Sequence, residues 1–139
     1  LFLQTEIGRF ETKQEDLFVK DAINEDTNST FFDANGDNFI DLLVVSGGNE
    51  FKNGKPLNPR LYINNKGTFV KDTIQFQNIE INASRVQAVD IDNDGDLDIS
   101  ISSNLIPWQF GKSPKQYILK NNGNLNFSYR KNLNYQQAF

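Results

Sequence analysis

Cysteine, histidine and methionine are all missing from the 139 residues. Without cysteine, disulfides and thiolate metal sites are excluded, and the redox compartment stays open. Without histidine, the commonest general base and the commonest transition-metal ligand are gone. Oxygen is what remains to hold a metal, and oxygen favours calcium or magnesium. Translation starts on methionine, so its absence leads us to expect a mature or trimmed piece of a longer polypeptide. No apolar run approaches the ~20 residues of a membrane-spanning helix, and a membrane-embedded chain is not expected. No basic cluster with interleaved aromatics exists either, so nucleic acid is not an expected partner. No G-x-S-x-G elbow, P-loop or dinucleotide fingerprint occurs, and this segment is not expected to be an enzyme.

What is present is unevenly placed. The composition is 37% hydrophobic and 12% aromatic, enough to bury a core. The net charge of -4 hides a local excess. Eight of the 18 acids lie in 33–41 and 90–98; elsewhere 14 basic residues face 10 acidic ones. The acidity therefore needs a local explanation.

The two acidic stretches belong to a repeat. "FFDANGDNFIDLLVVS" (31–46) and "AVDIDNDGDLDISISS" (88–103) share a frame in which Asp33 maps onto Asp90, 57 residues apart. The same shift carries "LYINN" (61–65) onto "ILKNN" (118–122), and Phe10, Phe69 and Phe127 follow in successive copies. Each copy reads as four short strands between Asn-, Gly-, Pro- and Lys-rich loops. The strands are expected at 28–33, 39–46, 60–65 and 68–74, then at 84–90, 97–103, 115–121 and 125–131. "DLLVVS" has the continuous apolar pattern of a strand buried on both faces. Segment 11–23 carries a weak helical stripe and is either a helix or a linker. The expected fold is all-β, with tandem four-stranded antiparallel blades of a β-propeller, about two and a half of them. Closure needs at least four blades, so further blades of the same parent chain are expected. Uncovered repeat ends are expected to expose apolar faces.

The acidic loops have the pattern of a metal cage. Asp90, Asp92 and Asp94 alternate, so a coiled loop can aim all three inward. Gly95 supplies a positive φ, the carbonyl of Asp96 then faces the centre, and Asp98 closes the shell with its carboxylate. About six oxygens at 2.3–2.6 Å suit calcium. An EF-hand is disfavoured, because it needs a glutamate at loop position 12, where Ile101 and Val44 stand, and flanking helices. A merely solvated acidic turn is the weaker alternative. The earlier copy keeps acids at Asp33, Asp37 and Asp41, with the neutral Asn35 at position 3 and Asn38 where the other loop has Gly95. The 90–98 loop is expected to bind calcium more tightly.

These residues resemble a known family. "DxDxDGxxD" between the first two strands of a roughly 60-residue repeat is similar to the FG-GAP/VCBS repeats. Those build the calcium-carrying propellers of integrin α subunits and of many bacterial surface proteins. "DLLVVSGGNEF", "RLYINNKGTF" and "AVDIDNDGDLDI" further resemble the repeats of ASPIC/UnbV (cartilage acidic protein-like) bacterial proteins. The resemblance spans nearly the whole chain and implies one or two Ca2+ ions. Its ligands would be Asp90, Asp92, Asp94, Asp96 (main chain) and Asp98, and Asp33, Asn35, Asp37, Phe39 (main chain) and Asp41. The implied organisation is a blade tail with linker at 1–27, a complete blade at 28–83 and a second at 84–139. The implied location is extracellular, periplasmic or the cell surface.

Two loops, 47–59 and 104–114, fall on the face opposite the acidic loops. They carry Phe51, Trp108 and Phe110, which either anchor a ligand or pack on a neighbouring blade; packing is the stronger expectation. The function expected is a calcium-stabilised scaffold for protein or glycan binding and adhesion. The alternative is a propeller domain of an extracellular enzyme such as a polysaccharide lyase.

Overall fold

β-branched and aromatic runs between polar turns make this an all-β protein. The computed structural model describes residues 2–13 and 15–130. Lys131 of the expected eighth strand lies outside the described residues, as do Leu1, Gln14 and the 132–139 end. Strands β1 (Phe2–Glu6) and β2 (Arg9–Thr12) form a hairpin, followed by a short helix, α1 (Glu15–Val19). Strands β3 (Asp26–Phe32), β4 (Asp41–Ser46), β5 (Arg60–Asn65) and β6 (Thr68–Lys71) then form one antiparallel sheet in sequence order. Strands β7 (Arg85–Val89), β8 (Asp98–Ser102), β9 (Tyr117–Asn121) and β10 (Phe127–Arg130) repeat that plan. These are two propeller-type blades.

The "DLLVVS" strand is buried at every position. Its alternate side chains serve two cores. Leu43 and Val45, with Phe32 and Leu61, face the second blade and meet Val86, Ile99, Ile101 and Leu119 there. Leu42 and Val44, with Tyr62 and Phe69, face the other way, where Leu17 and Phe18 from the α1 segment cover them. Under the 57-residue shift, Leu42, Val44 and Tyr62 become Ile99, Ile101 and Leu119. Each blade thus offers the same face to whatever precedes it. The first strands β3 and β7 lie side by side, and the Asn28 carboxamide oxygen accepts a hydrogen bond from the Val86 N–H at 3.1 Å.

Each linker contributes one aromatic to the packing. Phe18 packs on Tyr62 and Phe76 on Phe127, both with ring centroids 5.0 Å apart. Phe76 is buried although its φ is 65°, a conformation bulky residues avoid. Burying the ring offsets that strain. Asp21 fastens the first linker by accepting hydrogen bonds from the Tyr62 hydroxyl and Lys71. Burial raises the Asp21 pKa, but those two hydrogen bonds and the Lys71 and Arg60 charges outweigh it and hold the carboxyl below its usual value.

The far face of the second blade departs from expectation. Where the first blade has Phe32, Leu43, Val45, Leu61 and Ile63, the second has Val89, Ser100, Ser102, Ile118 and Lys120. Only two of these five are apolar, so this face is polar rather than the bare apolar end a repeat array would leave. The hairpin β1–β2 is exposed along both strands, with Phe10 60% accessible against 8% for Phe69, its counterpart. Phe76→Ala is expected to cost about 3–5 kcal/mol in urea denaturation. Phe18→Ala, at a half-buried position, should cost less, and equal losses would contradict the inter-blade role of Phe76.

Candidate metal centre

The acidic loops join the first strand of each blade to the second. Both need two residues in the left-handed region, at loop positions 4 and 6. The first loop uses Gly36 (φ 79°) and Asn38 (φ 67°); the second uses Asn93 (φ 60°) and Gly95 (φ 94°). Glycine and asparagine tolerate that conformation best. The two loops meet one backbone requirement with the same pair in opposite order.

The last aspartate of each loop is deeply buried and doubly engaged. Asp41 is 0% exposed; Oδ2 accepts from the Ala34 N–H (2.9 Å) and Oδ1 from the Asn64 N–H (2.7 Å). Asp98 is 2% exposed; Oδ2 accepts from the Ile91 N–H (3.1 Å) and Oδ1 from the Asn121 N–H (2.9 Å). Each carboxylate ties its own loop to the third strand of the blade. Burial pushes the Asp41 pKa up, hydrogen bonds from Asn64 and Ala34 oppose this, and the charges of Asp37 and Asp33 add to the rise.

The first aspartate of each loop draws the turn inward. Asp33 Oδ1 accepts from the N–H groups of Gly36 (2.8 Å) and Asp37 (3.2 Å), and Oδ2 from that of Asn38 (2.7 Å). Asp90 accepts from the N–H groups of Asp94 and Gly95, both at 3.2 Å. Asp37 Oδ1 accepts from the Phe39 N–H at 2.8 Å, and Asp94 Oδ1 from the Asp96 N–H at 3.0 Å. In the first loop Asn35 and Asp37 bond each other: Asn35 Nδ2 donates to Asp37 Oδ2 at 3.0 Å.

The second loop gathers carboxylates. One oxygen from each of Asp90, Asp92 and Asp98 lies within 4.8 Å of the others. Among the described residues this is the one such group of three acids. Asp92 Oδ1 is buried and has no hydrogen-bond partner. Asp94 is exposed and turned to a different partner: Lys120 Nζ lies 3.2 Å from Asp94 Oδ2 and also pairs with Asp92 Oδ2. Hydrogen bonds from the Asp96 N–H and Lys120 lower the Asp94 pKa. The hydrogen bonds that Lys120 donates to Asp92 and Asp94 raise its own pKa. Lys120 was not among the sequence candidates. Its only signal is the alignment of "LYINN" with "ILKNN", which sets it against Ile63.

The opposite face holds the aromatic loops. Ser103 and Gln116 clamp the base of 104–114, with Gln116 Nε2 donating to the Ser103 carbonyl at 3.0 Å. Trp108 (φ 63°) is 74% exposed and Phe110 fully exposed, so neither packs on the other described blade; Phe51 is partly buried. A cavity of about 540 Å³ lies near the start of β5, lined by Pro56, Pro59, Arg60 and Lys71 among others. Its Arg60 is committed to Asp26 and Ser46, and its Lys71 to Asp21.

Residues 33–101 match the family model of an FG-GAP-like repeat. The match runs from the first acidic loop through the first half of the second blade, covering both acidic loops. Neither a curated protein nor a solved structure matches the chain. Within the matched segment the position-9 aspartates tie each acidic loop to the third strand of its blade. Asp98→Ala leaves two backbone N–H groups without acceptors and is expected to cost about 2–4 kcal/mol in chelator. Asp92→Asn should stay within about 1 kcal/mol. Urea denaturation with EDTA checks this, and similar losses for the two would contradict it.

Proposed function

We infer that this chain is a calcium-stabilised propeller segment of a secreted or cell-surface protein. It is not itself an enzyme; its role is to present loops for protein or glycan binding and adhesion. We place it nearest the ASPIC/UnbV-associated repeats within the FG-GAP group. One observation carries the calcium reading: the converging oxygens of Asp90, Asp92 and Asp98, with the buried, unpartnered Asp92 Oδ1 among these side chains. An oxygen-only donor set whose atoms span no more than 4.8 Å fits an ion held at about 2.3–2.6 Å. Asp90, Asp92 and Asp98 would hold the ion, with Asp94 and the Asp96 carbonyl completing the shell. In the first loop Asp33, Asn35, Asp37, the Phe39 carbonyl and Asp41 would do so with less charge. The ion would cancel the repulsion among the carboxylates and fix the turn between the first two strands.

The binding reading rests on the exposed rings of Trp108 and Phe110, carried on a loop whose base is clamped. Large rigid rings are effective anchors for protein and sugar ligands. Among the described residues, no helix is long and apolar enough to cross a membrane.

Calcium at about 100 times its Kd is expected to raise the melting temperature by roughly 5–10 °C, and EDTA should reverse the shift. An unchanged melting curve would remove the calcium reading. For the binding role, a Trp108→Ala/Phe110→Ala variant should lose capture on glycan and extracellular-protein arrays while melting as wild type does. Undiminished capture would move the ligand site elsewhere.

A further inference from the structure

The geometry points to Lys120 as a tethered counter-ion that competes with calcium for the 90–98 loop. This rests on the calcium reading and goes beyond it, because the repeat pattern contains no such lysine: the equivalent position in the first blade is Ile63. Among the described residues, no ion pair involves Asp33, Asp37 or Asp41.

Lys120 is placed for this by the fold. It sits on β9 between Leu119, which faces the inter-blade core, and Asn121, whose N–H donates to Asp98. The strand that carries the lysine is therefore fastened to the last carboxylate of the loop. From there Nζ reaches Asp92 Oδ2 and Asp94 Oδ2 (3.2 Å) while remaining partly open to solvent. The other Asp92 oxygen is left buried without a partner, and one oxygen of Asp92 lies in the group with Asp90 and Asp98. One carboxylate is thus shared between an ammonium that is always attached and a site for a free dication.

Two opposite consequences follow. Without metal, the ammonium offsets the crowding of five aspartates and favours the folded loop. With metal, it is a positive charge beside a dication and must withdraw from Asp92 and Asp94, so affinity falls. Like charges a few ångströms apart at a solvent-exposed site repel enough for a roughly five- to tenfold effect. The lysine also narrows the gap between the two loops: the second has two more acids than the first but carries its own competitor.

The test uses the whole chain in an Asp33→Asn/Asp37→Asn background, which silences the first loop. Calcium chloride is titrated calorimetrically into the parent, Lys120→Met and Lys120→Arg. Lys120→Met should bind roughly five- to tenfold more tightly, melt earlier than the parent in EDTA, and melt later in saturating calcium. Lys120→Arg, which keeps the charge, should stay near the parent. Equal affinity of Lys120→Met and parent overturns the competitor role and leaves the calcium site standing. Weaker binding by Lys120→Met also overturns it, making the lysine a support of the loop. Absence of calcium binding in every variant, with the first loop intact as well, removes the calcium reading and this role together.

Discussion

Each blade depends on one buried aspartate at the start of its second strand. Asp41 and Asp98 are almost completely out of solvent. A buried carboxylate is tolerable only if its oxygens are bonded, and both oxygens of each accept a backbone N–H. The donors come from the loop on one side and from the third strand on the other. A single side chain therefore sets where the acidic loop closes and where the third strand joins. It also places that carboxylate beside the loop's other acids, and in the second loop one oxygen each of Asp90, Asp92 and Asp98 comes within 4.8 Å of the others. Fold and candidate site share the same atom pair.

Stacking then follows from strict repetition. A strand apolar on both faces must be covered on both, and the blades solve this by presenting equivalent positions to the preceding unit. The blades meet along their first strands, and Phe76 fills the space between them toward Phe127, while Phe18 covers the first blade's other face at Tyr62. The positive φ of Phe76 shows how strongly that burial is favoured. The second blade does not pass an equally apolar face onward: Ser100, Ser102 and Lys120 stand where Leu43, Val45 and Ile63 do. Whatever adjoins that face meets hydroxyls and a lysine already paired with aspartates, a different contact from the one between the two blades seen here.

Much of this was legible from sequence. The 57-residue shift, eight strands and both acidic loops follow from periodicity and turn chemistry, because these depend on neighbours along the chain. "DLLVVS" declared its two-sided burial outright. The linker aromatics were not legible, since Phe18 and Phe76 lie in segments without sustained periodicity and act on strands far along the chain. The bracing role of Asp41 and Asp98 was hidden for the same reason: Asn64 and Asn121 are 23 residues away from their acceptors. Packing was the stronger expectation for Trp108 and Phe110. Both are exposed, because their loop projects from its clamp and no described segment reaches over the tip.

The two acidic loops show how one backbone requirement admits two electrostatic solutions. A turn that aims alternate side chains inward must offset like charges at short range, with or without an ion. The first loop lowers the charge itself: Asn35 replaces an acid and bonds Asp37, and backbone N–H groups absorb Asp33. The second keeps five aspartates and gives them different partners. Asp98 is held by backbone donors, Asp94 is turned outward, and Lys120 comes from another strand to meet Asp92 and Asp94. Neutralisation within a loop costs ligand charge. Neutralisation by a residue from outside preserves every aspartate and makes the loop's charge adjustable through a single side chain. A repeat that has diverged at Asn35 and Asp92, at Phe39 and Asp96 and at Ile63 and Lys120, but keeps aspartate at positions 1, 5 and 9, has therefore changed how its loop is balanced while keeping how it is built.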